Sequence, residues 1–134
     1  MKNNTNFINI MLKKFLITSL VLLFSFKVYA DGESVQQIYI EHRHSGNHIE
    51  HYLPADAPEV YFDSEAMEII IEAEGYADYY VVEAISLVSG QTLIYTQIDG
   101  YGDTIDISAL PDAYYQIIIT SSNNNVFEGT FLIE

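Results

Sequence analysis

The sequence TIDISALPDAYYQIIITSSNNNVFEGTFLIE, residues 104–134, carries the clearest structural pattern in this chain. Two runs in which every second residue is apolar predict two β-strands with one inward face each. The inward side chains are Tyr115, Ile117 and Ile119 in the first run and Phe127, Phe131 and Ile133 in the second. Residues 121–125 between them predict a turn, because asparagine tolerates left-handed backbone angles. A lone hairpin cannot shield its apolar face, so we expect the rest of the chain to cover it.

Upstream of this hairpin, alternating apolar residues and turn signals predict further short strands. They are placed around residues 38–40, 60–62, 67–73, 79–88, 91–98 (with Leu93 and Tyr95 on one face) and 105–107. In residues 79–88 both alternating sets are apolar, so that strand is either buried on both faces or changes register at a bulge near Glu83. We favour the bulge. The last strand, which ends at residue 133 or 134, is a candidate edge strand.

The pattern as a whole predicts an all-β fold of seven or eight strands, with no helical periodicity after residue 30. Closely spaced antiparallel strands with one apolar face each favour an immunoglobulin-like β-sandwich of two sheets. A small closed barrel is the competing architecture.

Residues 1–30 are predicted to be a signal peptide that is absent from the mature domain, residues 31–134. Lys13 and Lys14 precede an apolar run at residues 15–26, and cleavage is expected after Ala30. Translation could begin at Met1 or Met11. The run is short for a membrane span, although an uncleaved anchor is the alternative. We therefore expect an exported protein in the periplasm or at the cell surface, with no membrane span after the signal is removed.

The predicted mature domain is strongly acidic. It keeps one fixed cation, Arg43, against nineteen acidic residues, a formal charge of −18 (1 − 19). Such a surface repels nucleic acid and anionic lipid headgroups, and we exclude both as partners. The chain contains no cysteine, which excludes disulfides and a lipid-modified cysteine at the cleavage site.

Four segments of the second half carry a family resemblance: SGQTLIY at 89–95, TIDISALP at 104–111, YQIIIT at 115–120 and FEGTF at 127–131. They resemble a family of small exported proteins of unknown function from the Bacteroides group, which have an immunoglobulin-like sandwich fold. The resemblance spans residues 58–134 and extends to the C-terminal secretion-sorting domains of related bacteria. Both groups usually have glycine where this chain has Ala113, which would alter the turn if that position needs a positive φ. The resemblance implies a fold and an exported location, and it brings no catalytic residues.

All the histidines lie in one stretch and form a candidate metal site. They are His42, His44, His48 and His51. Zinc, copper or nickel would accept such imidazoles together with a carboxylate such as Glu50. The alternative is a polar, histidine-rich loop on an acidic surface.

A second candidate cation site lies near a glycine-rich loop. Asp99, Asp103 and Asp106 could bind calcium through carboxylate oxygens, but their spacing lacks the ligand pattern of the helical calcium loop. A strand-to-strand turn is the alternative account. We therefore expect no cofactor beyond a candidate divalent cation.

The sequence does not predict an enzyme. It has no cysteine, no Gly-x-Ser-x-Gly motif and no lysine after residue 30 that could serve a phosphate-binding loop. Tyrosine is abundant instead, and we predict a binding surface formed by Tyr76, Tyr79, Tyr80 and Tyr101. The alternative is that these are ordinary half-exposed strand residues.

We therefore expect a monomeric or weakly associating binding module whose partner is another protein or a glycan. Two other roles remain open: a sorting or assembly domain of an export system, and a small inhibitor of a secreted protease.

Overall fold

The computed structural model describes residues 34–43 and 53–134. The predicted signal peptide, both candidate start sites and His44, His48 and His51 lie outside these residues. From Val35 onward the described residues belong to one compact unit, Val35–Glu134. Within the two described ranges, no helix has the length and hydropathy needed to cross a bilayer.

Nine antiparallel strands form two sheets in the described residues. They are β1 (Val35–Ile38), β2 (Glu41–Arg43), β3 (Glu59–Asp63), β4 (Glu68–Glu72), β5 (Tyr79–Ser86), β6 (Thr92–Asp99), β7 (Gly102–Asp106), β8 (Ala113–Ser121) and β9 (Val126–Ile133). The four-stranded sheet has the order β1-β3-β4-β7, and the five-stranded sheet has the order β2-β9-β8-β5-β6. The predicted two-sheet sandwich is confirmed, and the closed barrel is wrong because no ladder among the described strands joins the two sheets.

The ninth strand arises because the chain changes sheets at its N-terminal side. The strand predicted around Ile38 and Ile40 is divided at Tyr39, so that β1 pairs with β3 in one sheet and β2 pairs with β9 in the other. The crossing segment passes close to Gly129 of β9. A Cβ there would lie 2.8 Å from Ile38 Cγ2 and 2.9 Å from the Tyr39 carbonyl oxygen, so only glycine fits without a shift.

The core lies between the inward faces of the two sheets. All six inward side chains predicted for the C-terminal hairpin are buried, from 0 to 6 % exposed. The ring of Phe131 stacks on Tyr115 at a centroid distance of 5.4 Å and meets Phe62 of the opposite sheet at 5.6 Å. This aromatic contact joins the two layers, and it confirms the pattern from which the fold was predicted.

The turn of this hairpin also follows its sequence. Asn124 adopts a positive φ of 66°, and the Ser121 amide donates to the Asn125 carbonyl at 2.9 Å. Asparagine accepts this backbone conformation more readily than most residues do, which is why the predicted turn forms here.

A tyrosine at the start of β8 fixes the connection that precedes the hairpin. The Tyr115 hydroxyl donates to the Pro111 carbonyl oxygen at 2.5 Å. A tyrosine hydroxyl bonded back to the chain at this corner is a hallmark of immunoglobulin-like sandwiches. Ala113 is not among the described residues with positive φ, so its backbone needs no glycine.

A register irregularity lies close to Glu83, as predicted, but the predicted change of the inward face of β5 does not occur. Tyr80, Val82, Ala84 and Ser86 are all buried, so one alternating set of β5 faces the core along its whole length. The irregularity falls in the β5–β6 ladder between Ala84 and Ile85, and the extra residue is on β6, not on β5. Ladders on both sides of β5 hold its register, and they half-bury its outer apolar set as well.

Candidate binding surface

Four connections lie together at one end of the sandwich. They are residues 53–58 before β3, 73–78 between β4 and β5, 100–101 between β6 and β7, and 122–125 between β8 and β9. Three of the four residues predicted for the tyrosine surface expose their side chains at this end.

The buried carboxylate of Asp56 joins these loops through hydrogen bonds. Asp56 is 5 % exposed, and its oxygens accept hydrogen bonds from Ser121 Oγ at 2.5 Å, Asn125 Nδ2 at 2.9 Å and Asn123 Nδ2 at 3.1 Å. The Asp56 carbonyl oxygen accepts a further bond from the Tyr80 hydroxyl at 2.7 Å. Asp56 and the side chains of Ser121, Asn123 and Asn125 that donate to it are called the Asp56 cluster below. Because a buried polar group is stable only when it is hydrogen-bonded, this cluster holds residues 53–58 against the hairpin turn.

Three hydrogen bonds, each with at least one backbone partner, then connect the turn to the next loop. Asn123 Nδ2 also donates to the Tyr76 carbonyl at 3.1 Å, the Asp78 amide donates to Ser122 Oγ at 2.8 Å, and the Ser122 amide donates to the Tyr79 carbonyl at 2.9 Å. The positions of Tyr76 and Tyr79 are therefore set by bonds on both sides of the segment that carries them.

The loop that bears Tyr101 is attached to the same segment. The Gly100 amide donates to the Asp78 carbonyl, the Gly75 amide donates to the Gly100 carbonyl, and the Ala73 amide donates to the Tyr101 carbonyl, at 3.1 to 3.2 Å. The ring of Tyr101 lies over Gly75. The two loops are therefore held together as one framework.

Three large aromatic side chains project from this framework. Tyr76, Tyr79 and Tyr101 are 61 %, 41 % and 74 % exposed, and these three residues are called the tyrosine surface below. The prediction that Tyr80 belongs to it is wrong, because Tyr80 is 1 % exposed and faces the core. Burial, and then the nearby negative charge of Asp56, raise the pKa of Tyr80 above its ordinary value.

The surroundings of the tyrosine surface are acidic. Glu74, Asp78, Asp99 and Asp103 are exposed on the same loops and strand ends, and the described residues of these loops contain no lysine or arginine. Aromatic faces flanked by carboxylates can stack on sugar rings, accept hydrogen bonds from hydroxyl groups or receive a basic side chain.

Of the candidate histidine site, only His42 lies in the described residues. It belongs to β2, and its ring lies 5.6 Å from the ring of Phe127 at an angle of 37°. Its neighbour Arg43 forms an ion pair with Glu128. Within residues 34–43 and 53–134, no group of three histidine or acidic side chains is arranged to hold a metal ion. The metal site involving the other histidines stays a prediction.

The three aspartates considered for calcium do not converge. Asp103 and Asp106 lie three residues apart on β7, which places their side chains on opposite faces of the strand. Each aspartate accepts a hydrogen bond from a nearby backbone amide, of Tyr101, Thr104 and Ser108 respectively. The bond from Ser108 lowers the pKa of Asp106 below its ordinary value. The strand-to-strand turn is therefore the better account of this loop.

The Asp56 cluster was not predicted from the sequence. Its donors lie 65 to 69 residues from Asp56 along the chain, so no local pattern links them. The serine and asparagine content of residues 121–125 was the available signal, and it was interpreted only as turn chemistry.

Comparison with solved structures supports the fold assignment. The chain is similar to the crystal structure of a DUF3244 family protein with an immunoglobulin-like β-sandwich fold from Bacteroides vulgatus ATCC 8482. The TM-score is 0.58 at 17 % sequence identity, covering 75 % of this chain and 99 % of that one. No protein-family model matches the sequence, and a search of curated proteins finds no relative. The predicted immunoglobulin-like fold, and the resemblance to proteins of the Bacteroides group, are thereby confirmed at the level of the fold.

Proposed function

We propose that this immunoglobulin-like domain is an exported, non-catalytic binding module and that the tyrosine surface is its contact site. One observation carries the proposal: three exposed tyrosines project from loops that are hydrogen-bonded to one another and fixed by the Asp56 cluster. Large exposed aromatics on a preorganised framework gain contact area with little loss of conformational freedom on binding. The predicted signal peptide supports the exported location.

The chemistry of the surface favours a neutral or basic partner. The described residues contain one arginine, Arg43, which is already paired with Glu128, so an anionic ligand would meet no free fixed cation there. A glycan would stack its rings on the tyrosines and donate hydroxyl hydrogen bonds to the neighbouring carboxylates. A protein partner would present lysine or arginine to the same groups.

The arrangement of the buried polar groups supports a non-catalytic role. Both carboxylate oxygens of Asp56 accept hydrogen bonds from amide or hydroxyl donors. These bonds assign the group to holding the loops together. Asp99 at the end of β6 and Asp103 on β7 likewise accept hydrogen bonds from backbone amides.

The proposal is tested by screening residues 31–134 against a glycan array and by co-purification from an envelope extract with mass spectrometry. Tyr76→Ala combined with Tyr101→Ala should abolish binding of any ligand found. The matched control is Tyr39→Ala combined with Tyr114→Ala, since those side chains are 80 % and 57 % exposed elsewhere on the domain. A ligand that binds the two double variants equally well would refute the assignment of the site.

A further inference from the structure

A cleft opens beside the tyrosine surface, at the end of the four-stranded sheet. Its volume is about 380 Å³, and it is lined by Ala55, Ala57, Glu59, Glu72, Ala73 and Glu74. Ala73 and Glu74 lie in the same connection as Tyr76, and the Ala73 amide donates to the Tyr101 carbonyl. The cleft therefore adjoins the exposed tyrosines and is open to whatever contacts them.

Two of the carboxylates that line the cleft face each other across a strand ladder. Glu59 of β3 is the direct partner of Glu72 of β4. Both are exposed on the outer face, because their neighbours Val60 and Ile71 point into the core. Like charges at directly opposite positions destabilise an antiparallel pair. The described residues contain sixteen acidic side chains and one arginine, which is paired with Glu128, so no fixed cation among them offsets this repulsion.

The lining of the cleft matches the parts of an arginine side chain. The alanines provide an apolar wall for its methylene stem, and the glutamates provide acceptors for its guanidinium. In the part of the chain that the structure describes, no three acidic side chains converge as metal ligands, so the cleft suits an extended cation better than a compact one. A guanidinium carries five donors in a planar fork, can bond two carboxylates at once and also stacks on aromatic rings.

We propose that the partner of the tyrosine surface is an arginine-bearing segment of another protein. One arginine of that segment enters the cleft between Glu59 and Glu72, and the residues beside it contact Tyr76 and Tyr101. This inference rests on the proposed function and names the class of partner. Charge complementarity selects the occupant, because a bound cation relieves the repulsion between the two glutamates. The hydroxyl groups of a glycan would leave that repulsion in place.

Isothermal titration calorimetry of residues 31–134 tests the inference with a short peptide of alternating arginine and glycine. The control peptide has citrulline in place of arginine, which keeps the shape of the side chain and removes its charge. It should bind about tenfold more weakly or worse, because hydrogen bonds between charged groups are lost. Binding of the arginine peptide should also weaken as salt is added.

The glutamate variant combines Glu59→Gln with Glu72→Gln. It should bind the arginine peptide about tenfold more weakly, for the same reason. Its urea midpoint should be no lower than that of the unmodified domain, because a like-charge pair has been removed. The matched control combines Asp112→Asn with Glu134→Gln, two exposed positions at the end of β8 and β9 opposite the 122–125 turn. It removes the same charge and should change the affinity by less than about threefold, because distant charges are screened.

The tyrosine variant, Tyr76→Ala combined with Tyr101→Ala, separates this inference from the proposed function. Loss of peptide binding in both the glutamate and the tyrosine variants supports both. A loss confined to the glutamate variant would support the cleft and refute the tyrosine surface as the contact site. A loss confined to the tyrosine variant would leave the proposed function standing and overturn the arginine-binding cleft.

Four further results would overturn the inference. The arginine peptide fails to bind, the citrulline peptide binds equally well, or the matched control loses as much affinity as the glutamate variant. The fourth is a glycan that requires Tyr76 and Tyr101 and is not displaced by the arginine peptide, a result that would uphold the tyrosine surface with a different class of partner.

Discussion

Replacing Asp56 by alanine should destabilise the whole domain, although this residue lies in an irregular segment between two prolines. The substitution removes the acceptor for Ser121 Oγ and for two asparagine amides. Ser121 is 3 % exposed, so water does not readily replace the lost partner of its hydroxyl. The two asparagine side chains are more accessible and can be rehydrated, so the loss at the serine dominates.

The magnitude follows from the nature of these bonds. A hydrogen bond to a charged group contributes about 1.5–3 kcal/mol, and an unsatisfied buried hydroxyl costs about 1–3 kcal/mol. Removing the buried charge acts in the opposite direction, because its desolvation is relieved. We expect a net loss of about 2–3 kcal/mol in the free energy of unfolding. For a domain of this size, that loss corresponds to a fall of about 8–12 °C in Tm.

Urea unfolding followed by far-UV circular dichroism measures this change as a lower midpoint with an unchanged slope. Asp112→Ala is the control, since it removes one negative charge from an exposed position and so reports the relief of general repulsion. If Asp56→Ala unfolds at the same urea concentration as Asp112→Ala, the Asp56 cluster does not hold the loops together. An increase in stability would show that the cost of burying the carboxylate exceeds the value of its hydrogen bonds.

Three further predictions concern the core, the loss of stability at high pH and the close contact of Gly102 with the backbone of β4. Ile117→Asp should prevent stable folding, because an unpaired buried carboxylate costs several kcal/mol. The control Tyr114→Ala should change the urea midpoint little. A folded Ile117→Asp domain would contradict the assignment of Ile117 to the core. The stabilising effect of Tyr80 should be fully present below the ordinary tyrosine pKa of 10.0 and be lost as pH rises through its raised value. Absorbance at the tyrosinate band should then show two tyrosines, Tyr80 and the equally buried Tyr115, that ionise only as the domain unfolds, and ionisation of Tyr80 in the folded state would count against its burial. Gly102→Ala should destabilise by more than about 2 kcal/mol, because φ is +99° and the new Cβ would lie 2.0 Å from a carbonyl oxygen of β4. Gly90→Ala, with φ at +71° but open space around it, should lose only about 1–2 kcal/mol, and urea unfolding of the two variants measures the difference.

The sequence predicted those parts of the fold in which local pattern and tertiary packing agree. In residues 113–133 only one alternating set is strongly apolar, the turn contains asparagine, and the buried set in the structure is the predicted one. In β5 both sets are apolar, so alternation could not choose the inward face, and Tyr80 was assigned to the surface although it points inward.

The candidate site was predicted less completely than the fold. Tyr76 and Tyr101 stand in loops next to glycine, a local signal of exposure that the structure bears out. The hydrogen-bonded framework beneath them could not be predicted from the sequence, because the bonds of Asp56 to Ser121 and Asn125 join residues that are 65 and 69 positions apart. The division of the first strand into β1 and β2 could not be predicted either. Ile38 and Ile40 are two residues apart, as on one face of a continuous strand, although the chain changes sheets between them.

That change of sheets has a mechanical consequence. Residues 34–43 form a single tether that is bonded to both layers, through four residue pairs to β3 and three to β9. Tension applied through the chain before Val35 would act on the β1–β3 ladder before it acts on the β2–β9 ladder, because β1 precedes β2 along this segment. The domain would therefore yield to pulling in two successive steps, and its tyrosine-bearing loops would keep their shape through the first of them.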